Sequence, residues 1–178
     1  MVDDIMELFE AIKGRRSIRK FKEETPDEEL IEKIVEAGIW APSAGDLQSW
    51  NAVIVKDHQI KIQIAIAAYV QEFITKAPVI IVVCANQANA GARYGERGRE
   101  LYCIQDAACA AQNMILSAYA LGLGAAWIGA FKEDDIAELL DLPDYLRPVA
   151  LIPLGYPDEE PEAPPRRSVK EVIYNEKY

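Results

Sequence analysis

The feature that most constrains the fold is an unbroken apolar run in the middle of the chain. Residues 79–85 read VIIVVCA and follow directly after Pro78. A short run that is rich in β-branched side chains and has no polar alternation is typical of a strand buried on both faces. We therefore predict that other elements cover both sides of this strand.

Helical patterns occupy most of the remaining chain. Apolar spacing and flanking signals predict helices at 5–13, 26–38, 57–68, 69–76, 99–121 and 132–140. Three further strands are predicted at 51–55, 125–129 and 149–154. Because the strands are few and lie between helices, the chain is predicted to be a mixed α and β protein.

Local signals mark several boundaries. Asp4 can cap the first helix and Gly14 can end it. Thr25 is predicted to cap the second helix, since Glu28 completes a capping box. Segment 86–98 is polar and contains glycine, so we predict a mobile surface loop there. The first helix has an apolar stripe formed by Ile5, Leu8, Phe9 and Ile12.

The charge balance and the N-terminus exclude several classes of protein. The chain has 19 Lys and Arg against 29 Asp and Glu, and its net charge of −10 argues against nucleic-acid or anionic-membrane binding. No apolar run reaches the roughly 18–20 residues of a membrane span, and the first residues are acidic where a signal peptide would be basic. A cytoplasmic protein is therefore expected.

The C-terminal end differs in composition from the rest of the chain. Residues 157–165 are rich in proline and acidic residues, which predicts a stiff extended spacer before a short tail at 168–178. We therefore predict one domain at residues 1–156 and an extended arm at residues 157–178. The arm is expected to pack on a partner subunit, because the spacer would carry it away from its own domain.

The long predicted helix at 99–121 gives a second reason to expect a homodimer. Its small side chains make it narrow and leave it little bulk to cover a core alone. We expect this face to pack closely against a second copy of the chain. The alanines concerned are Ala107, Ala108, Ala110 and Ala111.

A cluster of cations near the N-terminus indicates an anionic ligand. Residues 14–21 read GRRSIRKF, and the flanking residues Lys13 and Lys22 are also basic, in a chain that is acidic overall. Guanidinium groups suit bidentate phosphate contacts, and Ser17 adds a hydroxyl donor. The segment is interpreted as a phosphate-binding loop, and a solvated basic loop is the alternative.

Common catalytic signatures are absent from the sequence. It contains no GxGxxG dinucleotide fingerprint, no Walker loop and no GxSxG motif. Its one histidine, His58, lies at the start of a predicted helix, and neither a metal site nor a histidine–nucleophile pair is expected. No CxxC pair is present, and buried reduced thiols are expected at Cys84, Cys103 and Cys109.

Three segments taken in order carry a series of related motifs. They are residues 15–21 (RRSIRKF), residues 41–50 (APSAGDLQSW) and residues 122–131 (GLGAAWIGAF). Together they resemble the motifs of the nitroreductase family of flavin enzymes, and the resemblance extends over almost the whole chain. Other features that fit are Ala77-Pro78 before the apolar run, Asp106 and Gln112-Asn113 in the long helix, and the pair Arg166-Arg167.

The resemblance implies a fold and an activity. The fold would be an α+β sandwich with a mixed sheet flanked by helices, in an interlocked homodimer that binds FMN at the subunit interface. The activity would be ping-pong transfer of hydride from NADH or NADPH to nitroaromatic, quinone or similar acceptors. Two alternatives remain open: a non-catalytic FMN-binding protein, and a flavoenzyme of the same fold that performs reductive dehalogenation or flavin breakdown.

The resemblance also implies a set of cofactor-binding residues, while flavin N5 rather than a side chain would carry the chemistry. The phosphate, ribityl chain and pyrimidine edge would contact Arg15, Arg16, Ser17 and Arg19, and the phosphate site would be closed by Arg166 and Arg167. The flavin of the other subunit would be reached by Pro42, Ser43 and Ala44. Gln71 would contact the pyrimidine part of the ring. The ring would also lie against Trp127, Ile128, Gly129 and Ala130, with a backbone N–H near flavin N5.

Two positions depart from the family pattern. The family usually has Asn where this chain has Asp46, and Pro where this chain has Ser49. An Asn side chain can donate a hydrogen bond to a flavin carbonyl, whereas an ionised Asp cannot. Asp46 is therefore expected either to turn away from the flavin or to accept a hydrogen bond from the ring N3–H.

Overall fold

A four-stranded antiparallel sheet lies between two layers of helices in the computed structural model, which describes residues 6–178. The strands are β1 (Trp50–Val55), β2 (Val79–Asn86), β3 (Gly124–Ala125) and β4 (Leu146–Gly155), in the order β1-β2-β4-β3. The helices are α1 (Leu8–Gly14), α2 (Glu28–Ile39), α3 (His58–Ala67), α4 (Phe73–Lys76), α5 (Gln87–Arg97), α6 (Cys103–Ala120) and α7 (Glu133–Leu139). The α+β class is confirmed. Within residues 6–178, no helix combines the length and apolar content that a membrane span requires.

The predicted apolar run forms β2, the central strand of the core. Residues 79–85 have no solvent exposure. Adjacent side chains of a strand point to opposite faces, so Ile81 and Val83 pack with α2 and α6, whereas Ile80 and Val82 pack with α3 and α7. β1 and β4 hydrogen-bond to its two edges. The prediction of a strand buried on both faces is confirmed.

α6 covers one face of the sheet together with α2. Three of its four predicted interface alanines are fully buried against the chain's own strands, namely Ala107, Ala110 and Ala111. α2 approaches closely because Gly38 has no side chain, and a Cβ atom there would lie 2.6 Å from Met114 Cε. The expectation of a partner contact is therefore wrong for these three alanines, since their small size serves contacts within the chain. Ala108 is half-buried.

The opposite face is covered by α3, α4 and α7 and contains a buried lysine that the sequence pattern did not indicate. Lys61 is 7% exposed, and its Nζ donates to the carbonyl oxygens of Ala77 (2.8 Å) and Pro78 (3.2 Å). Burial lowers the pKa of Lys61, and the carboxylate of Asp57 opposes that shift. The ammonium group thus satisfies two carbonyls at the point where the chain enters the core.

α1 differs from the prediction in its cap and in the environment of its apolar stripe. Glu7 caps the helix, and its Oε2 accepts hydrogen bonds from the N–H groups of Phe9 (2.8 Å) and Glu10 (3.2 Å). Asp4 and Ile5 lie outside the described residues. The stripe is exposed to solvent in the single chain, by 61%, 62% and 48% for Leu8, Phe9 and Ile12.

α2 begins later than its capping-box signal indicates. Its first residue is Glu28 and its N-cap is Asp27, so the predicted cap at Thr25 is wrong. The backbone of Asp27 is extended, with φ −60° and ψ 151°, and this conformation prevents the helix from starting earlier. The predicted end of α1 at Gly14 is confirmed.

The predicted loop at 86–98 is wrong, because Asn86 ends β2 and residues 87–98 form α5 and the start of a π-helical turn at Gly98–Tyr102. Asn86 caps α5 by accepting a hydrogen bond from the N–H of Asn89 (3.0 Å). A Cβ atom at Gly98 would overlap the carbonyl of Ala90. Glycine therefore serves here to bring the π-helical turn against α5, rather than to form a loop.

Smaller differences lie near the sheet edge. Residues 69–72 form a turn, in which two residues have φ of 58° and 60°, so only α4 is helical within the predicted helix at 69–76. β3 is two residues long, and beyond it Ile128 forms a single bridge to Leu151. The mixed sheet that the resemblance implied is wrong: among residues 6–178 the strands pair antiparallel, and the one parallel contact is a bridge between Ser17 and Ala125.

Cys84 gives the fold a measurable dependence on alkaline pH. Burial raises the pKa of its thiol from 9.0 to about 12. Because the folded-state pKa lies above the unfolded value, the stability that the neutral thiol contributes is complete below pH 9.0 and is lost as the pH rises toward 12. Between about pH 9 and pH 10, the wild type should lose about 1 kcal/mol more of its free energy of unfolding than Cys84→Ala.

Urea unfolding of both proteins at the two pH values measures this difference. The other titrating groups are shared by the two proteins, so their contributions cancel in the comparison. Parallel pH profiles would contradict the prediction.

Candidate functional site

Four arginines face one cavity where the N-terminal loop meets the C-terminal arm. The cavity has a volume of about 280 Å³ and is lined by Arg15, Arg16, Ser17, Arg19, Pro161, Glu162, Pro164 and Arg166. The ion pairs described among residues 6–178 use Lys33, Lys56, Lys132 and Arg147. The cavity arginines therefore have no carboxylate partner in that part of the chain. The structure also brings the distant Arg166 beside the 15–19 segment.

The charges in this cavity repel one another. Burial lowers the pKa of Arg15, and the guanidinium groups of Arg16 and Arg166 lower it further. A bound dianion would relieve this repulsion and would accept several hydrogen bonds from the same groups. The arrangement therefore favours a phosphate group as the ligand.

Arg16 has a structural role in addition to its place in the cavity. Its Nη1 donates to the carbonyl oxygens of Lys13 (2.7 Å), Gly14 (3.0 Å) and Arg15 (2.9 Å), which closes the C-terminal end of α1. Its Nε is buried and has no hydrogen-bond partner among residues 6–178. A buried donor without an acceptor in the cavity wall fits a site that an anion completes.

A C-terminal strap, residues 156–162, holds the basic segment in place. The N–H of Asp158 donates to the carbonyl of Lys20 (2.9 Å). Glu159 Oε1 accepts hydrogen bonds from the N–H groups of Arg19 (2.5 Å) and Lys20 (3.0 Å). The sequence indicated only an acidic spacer here, because the partner of Glu159 lies far away along the chain.

The third motif lies directly beside the first. The N–H of Ile18 donates to the carbonyl of Ala125 (3.0 Å), and a Cβ atom at Gly124 would lie 2.8 Å from Ile18 Cγ1. Ile128 exchanges two backbone hydrogen bonds with Leu151, at 2.9 and 3.0 Å, so its N–H is already used. The next two N–H groups, at residues 129–130, have no acceptor among residues 6–178.

Gln71 connects the turn between α3 and α4 to the third motif. Its Nε2 donates to the carbonyl oxygens of Ala68 (2.9 Å) and Ala130 (3.4 Å). The guanidinium carbon of Arg19 lies 5.8 Å from the ring centre of Phe73 in α4. The first motif, Gln71 and the third motif thus form one continuous surface.

Trp127 lies in the third motif and is 42% exposed. A Cβ atom at Gly129 would lie 3.5 Å from its Nε1. The indole therefore lies beside Gly129, and part of its surface is left for another contact.

The second motif is anchored by a buried carboxylate of α6. Asp106 is 4% exposed, and it accepts hydrogen bonds from the N–H groups of Ala44 (2.9 Å, to Oδ1) and Ser49 (3.4 Å, to Oδ2). Ser49 is fully buried, and its N–H contact is one that the family's usual proline cannot make. The sequence signal for Asp106 was a single acid within an alanine-rich helix.

α5 contacts the same motif from outside. Asn89 Nδ2 donates to the carbonyl of Leu47 (2.9 Å), and Arg93 Nη1 donates to the carbonyl of Gly45 (3.1 Å). These two contacts were not predicted from the sequence, because residues 86–98 were expected to form a loop.

Asp46 and its neighbours have contacts within their own loop. Asp46 Oδ1 accepts a hydrogen bond from Gln48 Nε2 (3.3 Å), and Ser43 Oγ accepts one from the N–H of Gln48 (2.9 Å), while Pro42 is exposed. Asp46 thus turns toward its own loop in the single chain. In the part of the chain that the structure describes, no hydrogen bond joins this loop to residues 15–19.

Arg167 is separated from the cavity in its contacts. Its Nη2 donates to the carbonyl of Glu171, inside a tail turn at Val169–Glu171 that Ser168 caps. The structure therefore does not bring Arg167 together with the cavity arginines.

The described side chains also define which chemistry the site itself can support. Among residues 6–178, no group of three or more His, Cys, Asp or Glu side chains could hold a metal ion. His58 is exposed at the start of α3. The arrangement can bind an anion and offer backbone donors to a flat ligand beside it.

Comparisons with known proteins agree with this geometry. The profile of the Nitroreductase family matches residues 12–156. The chain is 37% identical over 160 residues to a protein of Methanothermobacter thermautotrophicus assigned as NADH dehydrogenase/NAD(P)H nitroreductase, covering 88% of this chain and 80% of that protein. It is 32% identical over 186 residues to the NADH dehydrogenase of Thermus thermophilus, covering 89% and 91%.

A solved structure has the same fold. The NADPH:FMN oxidoreductase from Vibrio harveyi complexed with NAD+ superimposes with a TM-score of 0.88 at 29% identity, covering 96% of this chain and 77% of that chain. The family resemblance found in the three motifs is therefore confirmed. The chain belongs to the nitroreductase family of oxidoreductases.

Proposed function

We propose that this protein is an FMN-dependent NAD(P)H oxidoreductase that passes hydride to nitroaromatic, quinone or similar acceptors by a ping-pong mechanism. The observation that carries the proposal is the cavity in which Arg15, Arg16, Arg19 and Arg166 converge without carboxylate partners among residues 6–178. The names of relatives that use NADH, NADPH or FMN support the same reading.

The residues present fit FMN. The phosphate would be held by the four cavity arginines and Ser17, and the orphaned Nε of Arg16 supplies one further donor. The pyrimidine would meet Gln71, and the ring would lie against Trp127, Ile128, Gly129 and Ala130. Of these, the N–H groups of residues 129–130 are free to donate, whereas the N–H of Ile128 is bound to Leu151.

When bound, FMN supplies the two-electron chemistry, accepting hydride from the nicotinamide and giving it to the acceptor. The protein's part is to bind, orient and stabilise charge. Arg19 lies beside Phe73 as well as in the cavity, so one cation borders the Gln71–Ala130 pair. A guanidinium there would stabilise negative charge on a reduced ring.

The second motif would reach the cofactor from another copy of the chain. Residues 41–50 lead into β1, whose first residue pairs near the Asn86 end of β2. The 15–21 segment borders β3, which pairs with the part of β4 that lies beside Val79. The start of β1 and the 15–21 segment therefore lie at opposite corners of the sheet. They are separated by three strand spacings and most of the length of β2, a distance on the order of 25 Å. We therefore propose a homodimer in which Pro42, Ser43, Ala44 and Asp46 approach the partner's flavin.

Exposed apolar residues support the homodimer. The stripe of α1 is one such surface, and the tail exposes Val172, Ile173 and Tyr174 by 53%, 55% and 54%. We propose that residues 1–156 form the FMN-binding domain and that the arm at 157–178 packs on the partner. Within the arm, the first residues belong to the strap that bonds to Lys20.

Electron transfer separates an enzyme from a non-catalytic FMN carrier. We expect the FMN-loaded protein, mixed anaerobically with NADH or NADPH, to lose its flavin absorbance within seconds. After removal of the dinucleotide, a nitroaromatic or quinone should restore the colour, as a ping-pong mechanism requires. A bound flavin that neither dinucleotide reduces would favour the carrier, and a protein that cannot bind FMN would refute both. Product analysis tests dehalogenation and flavin breakdown.

Arg166 and Arg167 form a matched pair for testing the phosphate site. Arg166→Ala should weaken FMN binding about tenfold to a hundredfold, because hydrogen bonds to charged groups are worth roughly 1.5–3 kcal/mol. Riboflavin has no phosphate, so its affinity should change little. Arg167→Ala removes the same charge one residue away and should leave FMN affinity nearly unchanged. Fluorescence titration of both flavins against the wild type and the two variants measures the six dissociation constants.

Two outcomes of this titration would contradict the assignment. Equal losses of FMN and riboflavin in Arg166→Ala would mean that Arg166 supports the fold or the dimer. An equal loss of FMN in Arg167→Ala would place Arg167 in the site, as the family resemblance implies. Arg16 is a poorer choice of test, because it also donates to three carbonyls of α1.

The tail is expected to stabilise the homodimer. A chain ending at Arg167 keeps the strap but loses the exposed apolar residues at 172–174, so it should sediment with a larger monomer fraction than the full chain. A chain ending at Tyr174 keeps those residues and serves as the control. An undiminished dimer in the shorter chain would contradict the proposed role of the tail.

A further inference from the structure

Asp106 is a carboxylate whose burial makes it dependent on hydrogen bonds. It lies in the first turn of α6 and is 4% exposed. The ion pairs described among residues 6–178 do not include it, so the N–H groups of Ala44 and Ser49 are its described partners. A buried carboxylate is stable only when such donors satisfy it. Because Asp106 needs these donors, the loop has to keep the N–H groups of Ala44 and Ser49 next to the carboxylate.

The two donors bracket a segment of unusual backbone. Between Ala44 and Ser49, the residues Gly45, Asp46 and Gln48 have φ of 58°, 56° and 48°. Left-handed backbone is unfavourable for residues that carry a Cβ atom, and it persists where the surroundings determine it. Asp106 holds the segment at both ends and so keeps the residues between them in this conformation.

The contacts from α5 are weaker supports for the same segment. Asn89 and Arg93 are exposed side chains that donate to Leu47 and Gly45. Water competes for exposed hydrogen bonds, whereas loss of one partner of a buried charged group leaves that group unsatisfied. The buried contact of Asp106 therefore has the larger influence on whether the loop is ordered.

We propose that Asp106 is a positioning residue for the flavin: by binding the N–H groups of Ala44 and Ser49, it keeps Pro42, Ser43 and Ala44 in the conformation that meets the ring. This rests on the proposed function, in which those three residues contact the flavin held by a second copy. Asp106 acts by raising the fraction of chains in which the loop has the conformation that contacts the flavin. The apparent affinity for flavin falls in proportion to that fraction.

The main test measures two flavins against an isosteric variant. Asp106→Asn keeps the size of the side chain, but its NH2 group would face an N–H donor instead of accepting from it. We expect FMN and riboflavin to bind about tenfold more weakly, by equal factors, because the loop acts on the ring and not on the phosphate. Arg166→Ala, in contrast, should weaken FMN alone.

Asn113→Ala is the matched control on the same helix. Asn113 Nδ2 donates to the carbonyl of Ala37 (3.0 Å), so its loss also removes a link between α6 and a neighbour. We expect this variant to unfold at a lower temperature while both flavin affinities stay unchanged. A similar loss of flavin affinity in Asn113→Ala would overturn the proposal, because general loosening of α6 would then explain the effect.

Amide hydrogen exchange on the flavin-free wild type provides a test that does not depend on the variant folding. The amides of Ala44 and Ser49 should exchange at least about tenfold more slowly than in an unstructured peptide. Exchange at the unprotected rate would overturn the proposal. Unchanged affinities in a folded Asp106→Asn would overturn it as well and would leave the proposed function intact. If Arg166→Ala weakened the binding of FMN and riboflavin equally, that result would instead contradict the phosphate assignment.

Discussion

The complete burial of residues 79–85 in β2 is the constraint on which the rest of the structure depends. Because residues 79–85 have no exposure, the chain has to place a helical layer on each face and a strand along each edge. β4 pairs along the length of β2 and ends at Gly155. The strap that follows therefore begins beside β3 and the basic segment. α5 and α6 follow from the other end of β2 and brace the second motif there. The positions of the motifs are thus consequences of how the core strand is covered.

The backbone of the basic segment is held by hydrogen bonds that its N–H groups donate to distant parts of the chain, in addition to those that Arg16 donates at the end of α1. Guanidinium groups that repel one another cannot order a loop, so the order has to be imposed from outside. Glu159 binds two N–H groups of the segment, and Ile18 bonds to Ala125. These contacts fix the backbone without using the guanidinium groups of Arg15, Arg19 or Arg166. The repulsion that remains, visible in the lowered pKa of Arg15, favours uptake of an anion.

Sequence patterns predicted the features whose signals are local. The apolar run predicted β2, the pattern at 57–68 predicted α3, and the charge cluster predicted the basic segment. Asp106, Lys61 and Glu159 were missed or left without a role, because the groups that satisfy them lie elsewhere in the chain. A single acid in an alanine-rich helix has the same local pattern whether water or a distant loop binds it. Arg166 and Arg167 are neighbours in the sequence and were expected to share one role. In the structure, Arg166 lines the cavity, whereas Arg167 donates to the carbonyl of Glu171.

In the proposed dimer, the phosphate and the ring of the flavin are bound by different corners of the fold. The arginine cavity acts on the phosphate, which is the same for every reaction that FMN performs. The loop at 41–50 and the N–H groups at 129–130 act on the ring, where the chemistry takes place. Asp46 and Ser49, the two departures from the family pattern, both lie in that loop. Changes there can alter acceptor preference while the phosphate anchor is retained, provided that the buried carboxylate of Asp106 keeps the loop in one conformation.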